Sequence, residues 1–145
     1  MSNIANSAIQ PYLCFEGRCQ EALDFYKKAL GAEIGMVMRF KDSPEPPKGD
    51  CGGGNPEAIM HSSFTVKGAT ILASDGRCQG NPKFEGIFLS LTVKSEAEAD
   101  QAFNGLAEGG QVIMPLMKTF YSPRFGMLTD KFGVGWMIYM AGPQP

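Results

Sequence analysis

His61 is the only histidine of the sequence and the side chain best suited to acid–base chemistry, because an imidazole exchanges a proton near neutral pH. It lies in the strand-like run 59–66, where apolar and polar side chains alternate, so it shares one face with Ser63 and Thr65. The alternative interpretation is a structural histidine that is hydrogen-bonded at the start of a strand. A general acid or base is one hypothesis for His61, and a structural residue is the other.

Two further strand-like runs, 9–15 and 87–93, alternate in the same way. Their core-facing residues are predicted to be Ile9, Leu13, Phe15, Ile87, Leu89, Leu91 and Val93. The opposite faces mix aromatic groups with hydroxyls, which suits a small, partly apolar organic ligand. The candidate ligand-binding residues are Gln10, Tyr12, Ser63, Phe88, Ser90, Phe120 and Tyr121. The last two belong to the aromatic segment 120–125, for which core packing or a dimer interface is the alternative.

Other reactive residue types fit structural roles. Asp75 is predicted to make an Asx turn before Gly76, and Asp130 to accept hydrogen bonds in a hairpin turn. The four cysteines contain no C-x-x-C pair and are expected to be free thiols. Cys14 is predicted to be buried, and Cys51, in a Gly-rich loop, to be the most reactive of the four.

The spacing of apolar residues predicts two helices, over about 18–31 and 95–109. Gly31 is predicted to end the first helix, and Ser95 with Glu98 to form a capping box at the start of the second. The remaining predicted strands are 32–40, 69–74, 112–117, 127–129 and 135–140, with Trp136 in the core. Residues 41–58 carry four prolines and four glycines and are predicted to form a long loop.

The order of these elements repeats. Adding 78 takes Leu13 to Leu91 and Phe25 to Phe103, and a later offset of 65 takes Gly68 to Gly133. Two βαβββ modules are therefore predicted, over about 8–76 and 86–141, within one domain of residues 1–145.

Composition excludes several classes of protein. With a net charge of -2 and 43% hydrophobic residues, the chain is neither a basic nucleic-acid binder nor a disordered chain. Its apolar runs are too short for a membrane span, and its first residues do not read as a secretion signal. We expect a soluble cytoplasmic protein with no nucleic-acid or membrane partner.

Four segments carry a resemblance to a known family: PYLCFEGRCQEALDFYKKALGAE, IMHSSF, ILASDG and EGGQVIMPLMKTFYSPRFGMLTDKFGVGWMI. They resemble the PhnB-like, demethylubiquinone-methyltransferase-like branch of the vicinal-oxygen-chelate superfamily, which includes glyoxalase I, extradiol dioxygenases and bleomycin-resistance proteins. The sequence departs from that branch at Tyr121, where Trp is usual. The resemblance implies an α+β fold, in which the two modules form a curled eight-stranded mixed sheet around a concave cup, and a homodimer.

The metal-dependent relatives hold their metal with four side chains in that cup. Alignment with their pattern places Gln10, Leu72, Phe88 and Met137 at these positions. None is a carboxylate, imidazole or thiolate ligand, and positions two residues away add none. We therefore expect no metal and no other cofactor.

Three functions remain open. The first is a metal-free, bleomycin-resistance-like protein that binds a small organic ligand in the cup. The second is a metal-independent isomerase, lyase or transferase that uses His61 as acid or base. The third is a metalloenzyme with displaced ligands, in which His61 acts with Asp75 or Glu85.

Overall fold

The computed structural model describes residues 8–44, 55–76 and 82–142. The chain divides into two compact units, Met1–Pro82 and Lys83–Pro145, each of which contains one βαβββ module. This confirms the predicted α+β fold class and the element order. The grouping of both modules into one domain of residues 1–145 stays a prediction.

The first unit contains four strands and one helix: β1 (Tyr12–Cys14), α1 (Cys19–Leu30), β2 (Glu33–Arg39), β3 (Ile59–Val66) and β4 (Ala69–Ser74). Its strands form a mixed sheet in the order β1-β4-β3-β2, with β1 parallel to β4. A short 3-10 turn, Phe40–Asp42, follows β2. The rest of the predicted long loop, with Cys51, falls mainly on residues 45–54, outside the described residues.

The second unit repeats this plan with β5 (Phe88–Val93), α2 (Glu96–Ala107), β6 (Gln111–Met117), β7 (Phe125–Thr129) and β8 (Gly135–Met140). The sheet order is β5-β8-β7-β6. The register follows the predicted offsets, because Tyr12 pairs with Leu72 and Ser90 pairs with Met137. The internal repeat is therefore a repeat of strand pairing as well as of sequence.

Each helix begins and ends where the sequence indicates. Gly31 ends α1 in the left-handed conformation with φ of 67°, which a glycine adopts without strain. At the start of α2, the Ser95 hydroxyl accepts the Glu98 N–H, as predicted. The Glu98 carboxylate accepts the N–H of Lys94 rather than that of Ser95, so the second half of the capping box is displaced by one residue. Neither helix in the described ranges is long and apolar enough to cross a membrane.

Each helix covers one face of the sheet in its own unit. In the first unit, the fully buried Tyr26 ring stacks on Phe64, with 5.4 Å between ring centroids. In the second unit, Phe103 of α2 and Trp136 of β8 are buried, as expected for core residues. Strand alternation therefore leaves one covered face and one open face on each sheet.

Three burial predictions are wrong. Ile9 and Ile87 are 89% and 66% exposed, because each precedes its strand: β1 begins after Pro11, and Gly86, with φ of 73°, turns the chain before β5. Cys14 is exposed because it alternates with the buried Leu13 and lies on the open face of β1.

Asp75 has a role that its prediction did not include. Its Oδ1 accepts the N–H of Cys19 at 2.7 Å, and its Oδ2 accepts the N–H of Ile59 at 2.7 Å. The N–H that an Asx turn would use belongs to Arg77, which lies outside the described residues. The Ser74 hydroxyl accepts the Gly76 N–H at the turn. Asp75 is 4% exposed, so a buried carboxylate joins the N-terminus of α1 to the start of β3.

Asp130 organises the β7–β8 turn, as predicted. Its Oδ1 accepts the N–H groups of Phe132 and Val134, at 2.9 and 3.1 Å. Its Oδ2 accepts the indole N–H of Trp136 at 3.0 Å, a contact that the sequence did not indicate. One carboxylate therefore fixes both the turn and the largest core side chain of the second unit.

Replacement of Asp75 by alanine is expected to lower the free energy of unfolding by about 2–4 kcal/mol, because two buried N–H groups lose their acceptor. Urea denaturation measures the change, and the matched control is Asp24→Ala, on the exposed face of α1. A loss below about 0.5 kcal/mol, the range of ordinary surface substitutions, would contradict the bridging role.

Candidate functional site

The open face of the first sheet brings together two of the predicted site residues. Tyr12 Oη lies 3.1 Å from His61 Nδ1, a hydrogen bond between residues 49 positions apart. The two ring centroids are 5.6 Å apart, with the planes tilted by 32°. The hydroxyl group and the imidazole therefore form one unit, which we call the Tyr12–His61 pair.

Strand register explains how these residues meet. Tyr12 of β1 lies beside Leu72 of β4, and Leu72 lies beside Ser63 of β3. His61 is two residues from Ser63 and projects from the same face. The Tyr12 side chain therefore reaches across β4, over the Leu72 position, to the imidazole. On the other side of His61, Met38 of β2 is its lateral neighbour.

The His61 ring has one nitrogen free to act. In the described part of the chain, Tyr12 is the only hydrogen-bond partner of the imidazole. Each buried side-chain nitrogen or oxygen there has a partner, and His61 is half-buried, so its unpaired Nε2 must be accessible to solvent. An accessible ring nitrogen beside a half-exposed tyrosine can contact a ligand.

Ser63 lies on the same face, but its hydroxyl already has a partner. Its Oγ accepts the N–H of Met36 at 3.3 Å, where the pairing of β2 with β3 shifts register. A Cβ at Gly35 would lie 2.7 Å from this oxygen, so any larger residue there would have to displace the Ser63 hydroxyl from this position. Ser63 thus shapes β2 beside His61, a role that sequence alternation alone does not reveal.

Gln10 is half-buried and precedes β1 rather than forming part of it. No hydrogen bond of its side chain is found among the described residues. The sequence alignment placed Gln10 at the position next to Leu72. In the structure, the residue of β1 that pairs with Leu72 is Tyr12, two residues further along the chain. Tyr12 therefore replaces Gln10 as the residue beside Leu72.

The predicted site residues of the second unit form two separate sets. Phe88 and Ser90 project from the open face of β5, and Phe88 packs closely over Gly135, where an added Cβ would lie 2.7 Å from the ring. Phe120 is 99% exposed and meets Tyr121 edge-on, with 5.1 Å between centroids. Tyr121 in turn contacts Phe125, with 5.3 Å between centroids.

Buried Ser122 and an ion pair hold the loop that carries these aromatic residues. The Ser122 hydroxyl donates to the Met140 carbonyl at 2.7 Å and accepts the Arg124 N–H at 3.2 Å. The Arg124 guanidinium binds Asp100 of α2, with Nε to Oδ1 at 2.7 Å. A shallow depression of about 310 Å³ lies along this loop, lined by residues 118–123 and Gly142.

The donor set does not fit a transition metal. The paired positions Tyr12 with Leu72 and Ser90 with Met137 offer no carboxylate, imidazole or thiolate. Within residues 8–44, 55–76 and 82–142, no three His, Cys, Asp or Glu side chains lie close enough to share an ion. Asp75 is directed toward α1 and holds two backbone N–H groups, so it is not available to His61 on the opposite face.

Cys19 is a second free thiol of this unit besides the exposed Cys14, and its environment suppresses its reactivity. Cys19 is the first residue of α1 and is fully buried, and its Sγ lies 3.8 Å from the Ser62 hydroxyl. Burial raises the pKa of the Cys19 thiol to about 12, with a smaller contribution from the negative charge of Asp75. The thiol is therefore protonated and poorly nucleophilic at neutral pH.

Comparison with known proteins places this arrangement in a family. The family described as 3-demethylubiquinone-9 3-methyltransferase matches residues 7–139. Protein YjdN of Escherichia coli K12 is 34% identical, and the alignment covers 94% of this chain and 97% of that protein.

Solved structures of two relatives above 30% identity have the same fold as this chain. Protein PA1353 from Pseudomonas aeruginosa is 41% identical with a TM-score of 0.80, covering 94% of this chain and 98% of that one. A Bacillus cereus PhnB protein, described as a putative 3-demethylubiquinone-9 3-methyltransferase, is 32% identical with a TM-score of 0.77, covering 93% and 100%. At 14% identity and a TM-score of 0.59, a glyoxylase/bleomycin resistance protein/dioxygenase domain from Frankia shares the fold.

The matched family spans nearly the whole chain, and the two βαβββ modules are those of its solved members. The chain therefore belongs to the PhnB-like family described as 3-demethylubiquinone-9 3-methyltransferase.

Proposed function

We propose that this protein binds a small, partly apolar organic ligand on the open sheet face of the first unit, without a metal. The observation that carries the proposal is the Tyr12–His61 pair, which offers an accessible ring nitrogen beside a half-exposed aromatic ring. Leu72 and Met38 add apolar surface next to this pair. A few polar groups on an apolar surface are typical of small-molecule sites.

A second candidate function is metal-independent catalysis by His61 in an isomerase, lyase or transferase. It is favoured by the same hydrogen bond, because a group that holds one ring nitrogen orients the other toward a substrate. The name of the family suggests methyl transfer, but this sequence does not support that activity, because it has no glycine-rich turn after a first parallel strand.

We also propose a cytoplasmic homodimer. Support comes from the second unit, where the edge strand β6 exposes Val112, Ile113 and Met117, each about half accessible, and the following loop exposes Phe120. Apolar side chains on an edge strand are suited to coverage by a second copy.

A thermal-shift screen of small organic compounds tests the ligand proposal. A compound that binds the native state at a hundredfold excess over its Kd adds about 2.7 kcal/mol of stability. His61→Gln is expected to weaken the Kd of such a compound about three- to tenfold, since one hydrogen bond is lost. Lys27→Ala, on the exposed side of α1, is the control. Hits that His61→Gln and Tyr12→Phe leave unchanged would contradict this site.

Metal analysis of tag-free protein tests the metal-free part. After exposure to zinc and nickel ions and removal of free ions, we expect far less than one ion per chain, because no three His, Cys, Asp or Glu side chains among the described residues lie close enough to share an ion. One bound ion per chain, lost in His61→Gln, would refute it.

Light scattering tests the dimer, with an expected mass of twice 15.7 kDa. Phe120→Asp is expected to shift the population toward the single chain, because a charge cannot be buried there without a partner. A mass of one chain for the native protein at micromolar concentration would overturn this proposal.

A further inference from the structure

We propose that Tyr12 sets the tautomer of His61, so that the neutral imidazole presents an Nε2–H donor to an uncharged acceptor oxygen of the ligand. This inference rests on the proposed ligand-binding function and specifies the chemistry of the ligand. It assigns Tyr12 the role of a positioning residue and His61 the role of the contacting group.

The first step concerns the direction of the hydrogen bond. A phenolic hydroxyl can donate or accept, and a neutral imidazole nitrogen does one or the other according to its tautomer. A phenol is a much stronger acid than an imidazole N–H, so the Tyr12 hydroxyl is the better donor across the 3.1 Å contact. Nδ1 of His61 therefore accepts, and the proton of the neutral ring resides on Nε2.

The second step concerns access. Nε2 has no hydrogen-bond partner among the described residues and, since buried polar atoms there are all partnered, it reaches solvent. A ligand that covers this face must supply an acceptor to Nε2–H, because a buried donor without a partner loses the hydrogen bond that it makes with water. The acceptor fixes the ligand orientation.

The third step concerns the charge of the ligand. The strand positions of the open face are all described, and by register they hold no lysine or arginine: the residues are Tyr12, Cys14, Glu33, Met38, His61, Ser63, Thr65, Thr70, Leu72 and Ser74. A carboxylate or phosphate group would find no cation among these strand positions, whereas Leu72 and Met38 suit an apolar body. The chemistry favours a ketone, ester or lactone carbonyl on an apolar framework.

The tautomer can be measured without any ligand, because His61 is the only histidine in the chain. Imidazole ¹H–¹⁵N spectra of uniformly labelled protein, recorded at a pH where the ring is neutral, should show a protonated Nε2 and an unprotonated, hydrogen-bonded Nδ1. In Tyr12→Phe, the Nδ1 resonance should move toward that of an unbonded nitrogen and both tautomers should appear. Tyr139→Phe, which removes a hydroxyl that donates to the Tyr121 carbonyl, is the control and should leave the His61 signals unchanged.

The ligand class is tested on the same signals with acetophenone and, at equal concentration, toluene. Acetophenone should shift the Nε2–H resonance, and toluene should shift it less or not at all. A protonated Nδ1 in the native protein, or an unchanged spectrum in Tyr12→Phe, would overturn the tautomer assignment. Equal shifts with both compounds, or no shift with acetophenone, would overturn the carbonyl preference. The thermal-shift screen reports separately on ligand binding, so a failure of the proposed function is distinguishable from a failure of this inference.

Discussion

The bridge made by Asp75 is the constraint on which the first unit depends. One buried carboxylate accepts the N–H of Cys19 at the start of α1 and the N–H of Ile59 at the start of β3, both at 2.7 Å. The helix is thereby fixed to one face of the sheet, and its burial of Tyr26 against Phe64 follows. Because α1 covers that face, the polar residues of alternate positions, including Tyr12 and His61, remain on the other. The Asp75 carboxylate thus holds α1 on the covered face, and the open face remains available for binding.

The two modules share their backbone plan but differ in the chemistry of their open faces. The repeat aligns Ile71 with Trp136. Ile71 pairs with Phe64 and Trp136 pairs with Leu128, so Phe64 corresponds to Leu128. Three residues earlier on each strand, His61 therefore corresponds to Phe125. The other member of the pair, Tyr12, corresponds to Ser90 through the equivalent partners Leu72 and Met137. The second module therefore retains neither member of the Tyr12–His61 pair, and the capacity for hydrogen bonding through an imidazole belongs to the first module alone.

Much of the fold could be predicted from sequence because local signals and the repeat agree. Long apolar periodicity predicted both helices to within one or two residues of their observed ends. The Lys67–Gly68 turn and the repeat at an offset of 78 were also predicted correctly. Predictions failed where the strand was shorter than its apolar run: Ile9 and Ile87 lie before β1 and β5 and are exposed. The bridging role of Asp75 was missed because its partners are 56 and 16 residues away, and no local pattern encodes them.

The candidate site was predictable in part. Alternation correctly placed Tyr12, His61 and Ser63 on one face, but the hydrogen bond across β4 and the use of the Ser63 hydroxyl by Met36 depend on register.

The most direct measurement of the central claim, that a small organic ligand binds beside the Tyr12–His61 pair, is a fragment screen monitored by backbone ¹H–¹⁵N spectra of the native protein. The account predicts that binding fragments shift the resonances of Tyr12, His61, Leu72 and their open-face neighbours together. Shifts confined to other surfaces, or no binding fragment at all, would contradict it.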